Sequence, residues 1–423
     1  LKIALIYLPH PYLKQPEAQM PLGILYLSSI LKQKDIEVEV CNFTALHTNE
    51  AISKLPKADI YGITVTSFEI PQANRFAYLI KELYWNNKVI LGGAGTIAQE
   101  FVDFNIIDSI CIGDGEITIL DMLHDYPNMN RVYYGKPVKN LNKLPFPDRG
   151  AISNIGGNIF AYGKEYIGKG STVILSSRNC YFNCSFCTSP YLRKINNVRF
   201  RNSQNVYDEI KDVIDKYGIR QFRFSDDMFT SNKQHMYNIC DKLSDLDIVW
   251  RISCRVKPFT KEMAQRLYET GCKEVSFGIE SFDDTVLKTL NKQTTAKDNV
   301  KALEICEKVG IKARVLFMIR TPGQTKNTVP INIEYLKQVP YNIIACTSFV
   351  PIPRSNIYDN PDKYNIEILN KNLDDYNFYF FSSNGENKLK NIIKIKDRSL
   401  DEFNKESQYF RDYLKSTNKL NMG

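Results

Sequence analysis

The chain has 423 residues, 43% of them hydrophobic and 24% charged, too long for a single core and too apolar to stay disordered, so two or three folded domains are expected. A formal charge of +8 without any block of five or six basic residues reads as a solvated basic surface, which argues against a nucleic-acid partner and is equally compatible with a small anionic substrate. No apolar run approaches the roughly 20 residues that span a bilayer and no signal peptide is visible, so no membrane partner is expected.

Residues 1–126 alternate strand and helix. Strand-like runs cover Lys2–Tyr7, Glu37–Cys41, Asp59–Thr66, Lys88–Leu91 and Ser109–Ile112, with helical patterns at Leu22–Lys34 and about Gln72–Tyr84. Five strands in this alternation predict a parallel sheet covered on both faces, an α/β domain of Rossmann-like or flavodoxin-like type. The runs stop at small or polar residues, where open α/β sheets bind ligands. Periodicity is lost over 127–170, which Pro137, Pro145 and Pro147 punctuate, and an inter-domain linker is expected there.

A second series fills 171–350. Its strands are expected at Thr172–Ser176, Gln221–Ser225, Ile248–Ser253, Glu274–Ile279, Lys312–Met318 and Ile343–Phe349, with helical patterns between them. Six β/α units predict a partial (β/α)6 TIM barrel. Residues 351–423 read as a small C-terminal extension, mostly helical, with its clearest helix at about Leu400–Leu414. Its aromatic stretch Tyr376–Phe381 is expected to pack.

Ten cysteines are present. Seven are scattered through apolar segments (Cys41, Cys111, Cys240, Cys254, Cys272, Cys306 and Cys346) and read as small core residues. The other three form Cys180-Tyr-Phe-Asn-Cys184-Ser-Phe-Cys187, directly after the first strand of the second series. Soft thiolates select iron–sulfur clusters, Zn or Cu(I). Structural Zn sites and ferredoxin clusters both take four ligands, and no fourth Cys or His lies nearby. Three thiolates suit a cubane with one iron left open. A reducing cytoplasm is the natural compartment for them.

This CxxxCxxC triplet, with Phe186 before its third cysteine, resembles the signature of the radical SAM superfamily. The resemblance implies a [4Fe-4S] cluster on Cys180, Cys184 and Cys187 whose open iron chelates S-adenosylmethionine. An external one-electron reductant of flavodoxin or ferredoxin type would then drive formation of a 5′-deoxyadenosyl radical. It also implies contacts to S-adenosylmethionine from Phe186, from Asp226 in Phe224-Ser-Asp-Asp-Met-Phe229, from Arg255, and from Glu280 and Ser281 in Ser276-Phe-Gly-Ile-Glu-Ser281. The chain departs from the family where relatives usually show Gly-x-Pro-Gly-Glu-Thr and Pro-x-Pro-Gly-Thr. Here Arg320-Thr-Pro-Gly-Gln-Thr325 and Pro351-Ile-Pro-Arg-Ser355 each put Arg in place of Gly. Arg320 and Arg354 are therefore expected to bind an anionic group of a small-molecule substrate, since guanidinium offers a planar fork to carboxylate or phosphate.

The first domain resembles the cobalamin-binding domain that precedes the barrel in one large subclass of these enzymes. The likeness rests on Pro21-Leu-Gly-Ile-Leu-Tyr-Leu27, Gly62-Ile-Thr-Val-Thr66, Leu91-Gly-Gly93, Gly113-Asp-Gly-Glu116 and Leu144-Pro-Phe-Pro147, in that order. It implies cobalamin contacts from Asn42, Thr66, Ser67, Gly92, Gly93, Gly113 and Glu116. The Asp-x-His-x-x-Gly sequence of the classical cobalamin domain is absent; Asn42-Phe-Thr-Ala-Leu-His47 stands in its place, and His47 has the wrong spacing for an axial ligand. The implied chemistry is methyl transfer to an unactivated carbon or phosphorus. The alternative is a radical SAM enzyme that cyclises, rearranges or epimerises without methyl transfer.

Overall fold

A computed structural model describes residues 1–10, 20–152, 170–376 and 391–420. They form two compact units. The first holds the described residues up to 152 together with 170–173 and 194–201; the second holds 174–193 and the described residues from 202 onward.

The first unit is built on a six-stranded sheet. Its strands are β1 (Lys2–Tyr7), β2 (Glu37–Asn42), β3 (Ile60–Thr64), β4 (Lys88–Gly92), β5 (Ser109–Ile112) and β6 (Val132–Tyr134). The order is β2-β1-β3-β4-β5-β6 and every pair is parallel. Five of these strands were legible as apolar runs; β6 comes from the aperiodic stretch read as linker. Ile3 to Ile6 on β1 are all buried, as expected of a central parallel strand covered on both faces. At the sheet edge, β2 alternates, and its Glu37 and Glu39 face solvent within ion-pair reach of Lys2. Helices Leu22–Lys32 and Gly115–His124 cover one face, where Ile24, Leu31, Ile119 and Met122 pack on Ile3, Leu5, Ile60, Ile90 and Cys111. The strand order reverses between β1 and β3, so the ligand crevice of such a sheet lies beyond the carboxyl ends of these two strands.

The second unit carries an open parallel sheet. Its strands are β7 (Ser171–Ile174), of which only Ile174 groups with this unit, β8 (Gln221–Phe224), β9 (Val249–Cys254), β10 (Cys272–Glu280), β11 (Lys312–Ile319) and β12 (Ile343–Ser348). They stand in sequence order, with β7 and β12 as the two edges. This is the partial barrel that the six β/α units imply. Four helices start on side-chain caps: Asn202, Asn232, Thr260 and Thr295 each accept a hydrogen bond from the backbone N–H three residues on. Each such cap contributes about 1 kcal/mol. On β11 the buried residues Ala313, Val315, Phe317 and Ile319 alternate with the partly exposed Arg314, Leu316 and Met318. The first set faces the helical layer and the second faces the barrel lumen.

The C-terminal extension is less helical than its sequence suggests. Ile366–Ile368 pairs antiparallel with Ile393–Ile395, and only then does the helix Leu400–Ser416 follow. That helix buries Phe403, Phe410 and Leu414, and Phe410 packs 5.4 Å from Phe317. Of the aromatic stretch, Tyr376 is buried and donates its hydroxyl to the Asn370 carbonyl; residues 377–381 lie outside the described residues. Among the described residues no helix is long and apolar enough to cross a membrane.

Candidate functional site

The cysteine loop lies past the carboxyl end of β7 in the second unit. Its backbone is pinned from several sides. Arg193 donates to the carbonyls of Cys180 and Phe182 and to the Asn183 side chain. Asn291 Nδ2 donates to the Asn183 carbonyl at 2.7 Å, and Ser185 N–H donates to the Leu290 carbonyl at 2.9 Å. Cys184 is buried, while Cys180 and Cys187 are half-buried. Burial raises the thiols of Cys180 and Cys187 above their ordinary pKa.

Two of the sulfurs already face donors. Arg255 Nη1 stands 3.0 Å from Cys184 Sγ, and its guanidinium lies over the Phe182 ring at 3.9 Å. Ser189 offers its backbone N–H to Cys187 Sγ at 3.4 Å, with its hydroxyl 3.3 Å away. Among the described residues, no three His, Cys, Asp or Glu side chains converge as a ready set of metal ligands. The donor set nevertheless fits an iron–sulfur cluster in its chemistry: three free thiols on one pinned loop, with N–H donors aimed at the sulfurs.

Lys292 joins the surrounding residues, and sequence reasoning missed it. Its Nζ contacts Glu280 Oε1 at 2.8 Å and lies 5.8 Å from the Phe186 ring centre, and its carbonyl accepts from Arg255 Nη2. Glu280 ends β10 at a register shift, with a φ of 62°. Left-handed backbone at a non-glycine residue costs about 1–3 kcal/mol and is concentrated at functional sites. A Cβ added at Gly278 would stand 2.6 Å from Glu280 Oε1 and 2.7 Å from Lys292 Nζ, so any larger residue there would make the ends of these two side chains shift. The only sequence signal was a lysine in an Asn- and Gln-flanked loop, too weak to notice.

Other expected residues are held elsewhere. Asp226 is buried and accepts from Ser176 Oγ at 2.7 Å and from the Ser177 hydroxyl, fastening the end of β7 to the end of β8. Burial pushes its carboxyl up to about 6. His235 Nε2 lies 3.2 Å from Ser176 Oγ, and burial pushes the imidazole down to about 4. Ser281 is 1% exposed and hydrogen-bonds Asn332. Arg320 and Arg354 both have left-handed backbone, with φ of 61° and 67°, the conformation that glycine adopts most readily. Arg320 turns to the C-terminal extension: it donates to Asn391 at 2.8 Å and to Asn404, and it covers the Phe403 ring at 4.9 Å.

In the first unit, Asn42, Thr66, Ser67, Gly92, Gly93, Gly113 and Glu116 all sit at or just past carboxyl ends of parallel strands. Backbone presses on backbone here. Gly93 has a φ of +95°, and a Cβ on it would lie 2.6 Å from the Val65 carbonyl oxygen; a Cβ on Gly95 would lie 2.2 Å from the Thr66 carbonyl carbon. A Cβ on Gly92 meets nothing within 4 Å. Glycine at 93 and 95 thus lets the loops after β3 and β4 pack backbone to backbone, while Gly92 borders free space that a ligand could enter. Polar side chains on these loops mostly bind the loops themselves. Asn42 Oδ1 accepts from Thr44 Oγ1 at 2.8 Å, and Thr66 forms a reciprocal cap with Glu69. The buried His10 lies 3.0 Å from Glu69 at the strand-order reversal, a pair that the sequence did not reveal. Asp114 is clamped by Asn196 at 3.0 Å, by the Val138 N–H at 3.0 Å, and by Arg199.

Residues 174–336 match the family model described as the Radical SAM superfamily. An uncharacterized methyltransferase of Pyrococcus horikoshii is 28% identical over 365 residues, covering 80% of this chain and 78% of that protein. The anaerobic magnesium-protoporphyrin IX monomethyl ester cyclase of Rubrivivax gelatinosus is 24% identical over 387 residues, covering 85% and 68%. Among solved structures, the radical S-adenosylmethionine methyltransferase TsrM of Kitasatospora setae, with cobalamin and a [4Fe-4S] cluster bound, superposes with a TM-score of 0.64. It is 17% identical, with 84% of this chain and 76% of that chain covered. At that identity the likeness is one of fold.

Proposed function

The chain belongs to the radical SAM superfamily, and from that premise we propose that it is a cobalamin-using methyltransferase acting on a small-molecule substrate. When bound, a [4Fe-4S] cluster with S-adenosylmethionine supplies a 5′-deoxyadenosyl radical that takes a substrate hydrogen, and cobalamin supplies the methyl group. An external one-electron reductant of flavodoxin or ferredoxin type completes the system.

The chain's own residues bind and position. Cys180, Cys184 and Cys187 hold the cluster. Arg255 and Ser189 place N–H donors on its sulfurs, which favours thiolate and tunes the potential. Glu280, fixed by Lys292, presents a carboxylate to the amino or ribose groups of S-adenosylmethionine. Phe186 supplies an apolar wall. Asp226 and Ser281 act by fixing the strand ends that carry these groups. In the first unit, the glycine edge at Gly92, Gly93 and Gly113, with Asn42, Thr66, Ser67 and Glu116, receives the corrin.

The observation that carries this reading is the pinned three-thiol loop at the carboxyl end of an open parallel sheet, beside Arg255 and the Glu280–Lys292 pair. Its test is anaerobic reconstitution with iron and sulfide, followed by assay of 5′-deoxyadenosine under strong reductant. A hydroxocobalamin titration followed by visible spectroscopy tests the first unit. Zinc in place of iron, or iron without deoxyadenosine, overturns the assignment. The relative named as a cyclase supports a second reading, ring formation with the same equipment. S-Adenosylmethionine carrying a deuterated methyl group separates the two, because only methyl transfer moves the label into product.

A further inference from the structure

In the second unit, the short loop between helices Asp284–Thr289 and Ala296–Val309 holds Lys292 between two left-handed residues. Asn291 has a φ of 50° and Gln293 a φ of 56°, and Glu280, which Lys292 faces, has a φ of 62°. Asn enters that region with little cost. Gln and Glu stay there only where their surroundings hold them, and such strain gathers at functional sites. The loop is held on both sides of the lysine. Asn291 donates to the Asn183 carbonyl in the cysteine loop at 2.7 Å, and Lys292 donates its own N–H to the Leu287 carbonyl at 2.9 Å. Arg255 bridges the Lys292 carbonyl and Cys184 Sγ. The strained backbone therefore places one ammonium beside the cysteine loop.

That ammonium is not fully matched. Lys292 is 4% exposed, and its side chain carries three N–H donors. Among the described residues, Nζ has one hydrogen-bond acceptor, Glu280 Oε1 at 2.8 Å; the Phe186 ring centre, 5.8 Å away, adds only a weak attraction. Glu280 in turn engages one of its two oxygens. Two orphaned polar atoms accompany the pair: Arg255 Nε and, two residues after the lysine, Thr294 Oγ1 are buried without a hydrogen-bond partner. Buried charges are stable when their hydrogen bonds are completed.

A lysine that merely neutralised Glu280 would not call for this arrangement, since apolar side chains of similar volume commonly replace a buried ion pair with no loss of stability. The pair leaves N–H donors on one partner and a carboxylate oxygen on the other. That combination is complementary to a ligand presenting a carboxylate and an amine side by side.

We propose that Lys292 is itself a ligand contact: the Glu280–Lys292 pair receives the α-amino carboxylate end of S-adenosylmethionine, with Lys292 donating to the carboxylate and Glu280 accepting from the amine. The proposal rests on reading the second unit as the S-adenosylmethionine site. It changes Lys292 from a brace of Glu280 into a residue that makes the site selective for ligands keeping a free carboxylate. The same end of the ligand remains able to chelate iron, because a carboxylate has a second oxygen and a coordinated amine keeps its N–H groups.

The test uses the full chain after anaerobic cluster reconstitution and reads binding by calorimetry, without turnover. The probes are S-adenosylhomocysteine, which keeps the α-amino carboxylate, and 5′-methylthioadenosine, which lacks it. Wild type is expected to prefer S-adenosylhomocysteine. Lys292→Met should weaken that probe about 10- to 100-fold and leave 5′-methylthioadenosine binding unchanged, while Lys292→Arg keeps most of the preference. Because Lys292→Met leaves Glu280 buried alone, the double variant Lys292→Met/Glu280→Gln serves as the second measurement, and it decides the matter if the single variant fails to fold. It should also lose the preference. A preference that survives in these variants, or both probes weakened alike, overturns the proposal and returns Lys292 to a structural role. Wild type that binds S-adenosylhomocysteine no better than 5′-methylthioadenosine overturns it as well. Wild type that binds neither probe removes the S-adenosylmethionine reading of the second unit and the proposal with it, so the two failures are told apart.

Discussion

The carboxyl edges of the two sheets are built from different materials. At the second unit's edge, charged and soft side chains hold one another: Arg255 on Cys184, and Lys292 on Glu280. At the first unit's edge the working surface is backbone, with Gly93 against Val65 and Gly95 against Thr66, while the acids Glu69 and Asp114 are drawn inward to brace loops. The difference teaches where function and stability separate. Side-chain replacements at the first kind of edge should remove chemistry and leave the fold. At the second kind they should remove the fold first.

Replacing any one of Cys180, Cys184 and Cys187 by Ser should have the largest effect, complete loss of deoxyadenosine formation with urea unfolding nearly unchanged. These thiols are half-buried or lie in a loop held by Arg193 and Asn291, so the backbone does not depend on them. A variant with full iron content and wild-type turnover would erase the proposed contrast. Next comes Asp114→Ala. It leaves Arg199 buried without its carboxylate, a loss of about 3–5 kcal/mol. Urea denaturation should show it, while iron and sulfide per chain in the folded protein stay at wild-type levels.

How much of this was readable beforehand follows from the same contrast. The three cysteines stood out because thiol type and close spacing narrow the metal chemistry to a few classes; the cluster on them is what the family resemblance implies. The strands β1 to β5 and β7 to β12 were legible because each is a continuous apolar or alternating run bounded by turn residues. The strand β6 was not, being only three residues long with Val132 and Tyr133 half-exposed. The roles of Asp226, Ser281 and Arg320 were out of reach, since a sequence does not show whether a polar side chain points to a ligand or to its own scaffold. Lys292 lies in a loop between two helices, and its contact with Glu280, 12 residues back, is made only by the way that loop folds over the end of β10. The Arg-for-Gly exchanges at 320 and 354 were visible as departures; that both occupy left-handed backbone was not.

Asp226 blurs the contrast, since it is a brace placed at the chemical edge. Burial raises its carboxyl from 3.8 to about 6. A carboxyl raised in the folded state contributes stability that is complete below 3.8 and lost as pH climbs through 6. His235, lowered from 6.5 to about 4, contributes stability that is present above 6.5 and lost as pH falls through 4. Wild type should therefore lose up to about 3 kcal/mol between pH 4 and pH 6.5 on account of Asp226, partly offset by the histidine. In Asp226→Asn that decline should vanish and only the rise from His235 remain, as measured by urea midpoints across the pH range. Identical pH slopes in the two proteins would show that the carboxyl is not the titrating brace.

The finest distinction concerns Arg255, which sequence resemblance directs to S-adenosylmethionine and the structure directs to Cys184. With Cys184 as a ligand, a cation 3.0 Å from its sulfur and stacked on Phe182 would stabilise the more negative, reduced cluster. Arg255→Gln should therefore make the cluster's midpoint potential more negative and reduce activity about 10- to 100-fold at fixed reductant. Arg255→Lys restores the charge without the planar stack, so it should recover the potential only in part. An EPR-monitored redox titration reads the potential, and equilibrium binding reads the affinity for S-adenosylmethionine. A shifted potential with affinity unchanged places Arg255 among the side chains that tune the sulfurs. An unshifted potential with weakened binding returns it to the cofactor's carboxylate, and the second unit's edge then holds one fewer self-supporting pair than the structure suggests.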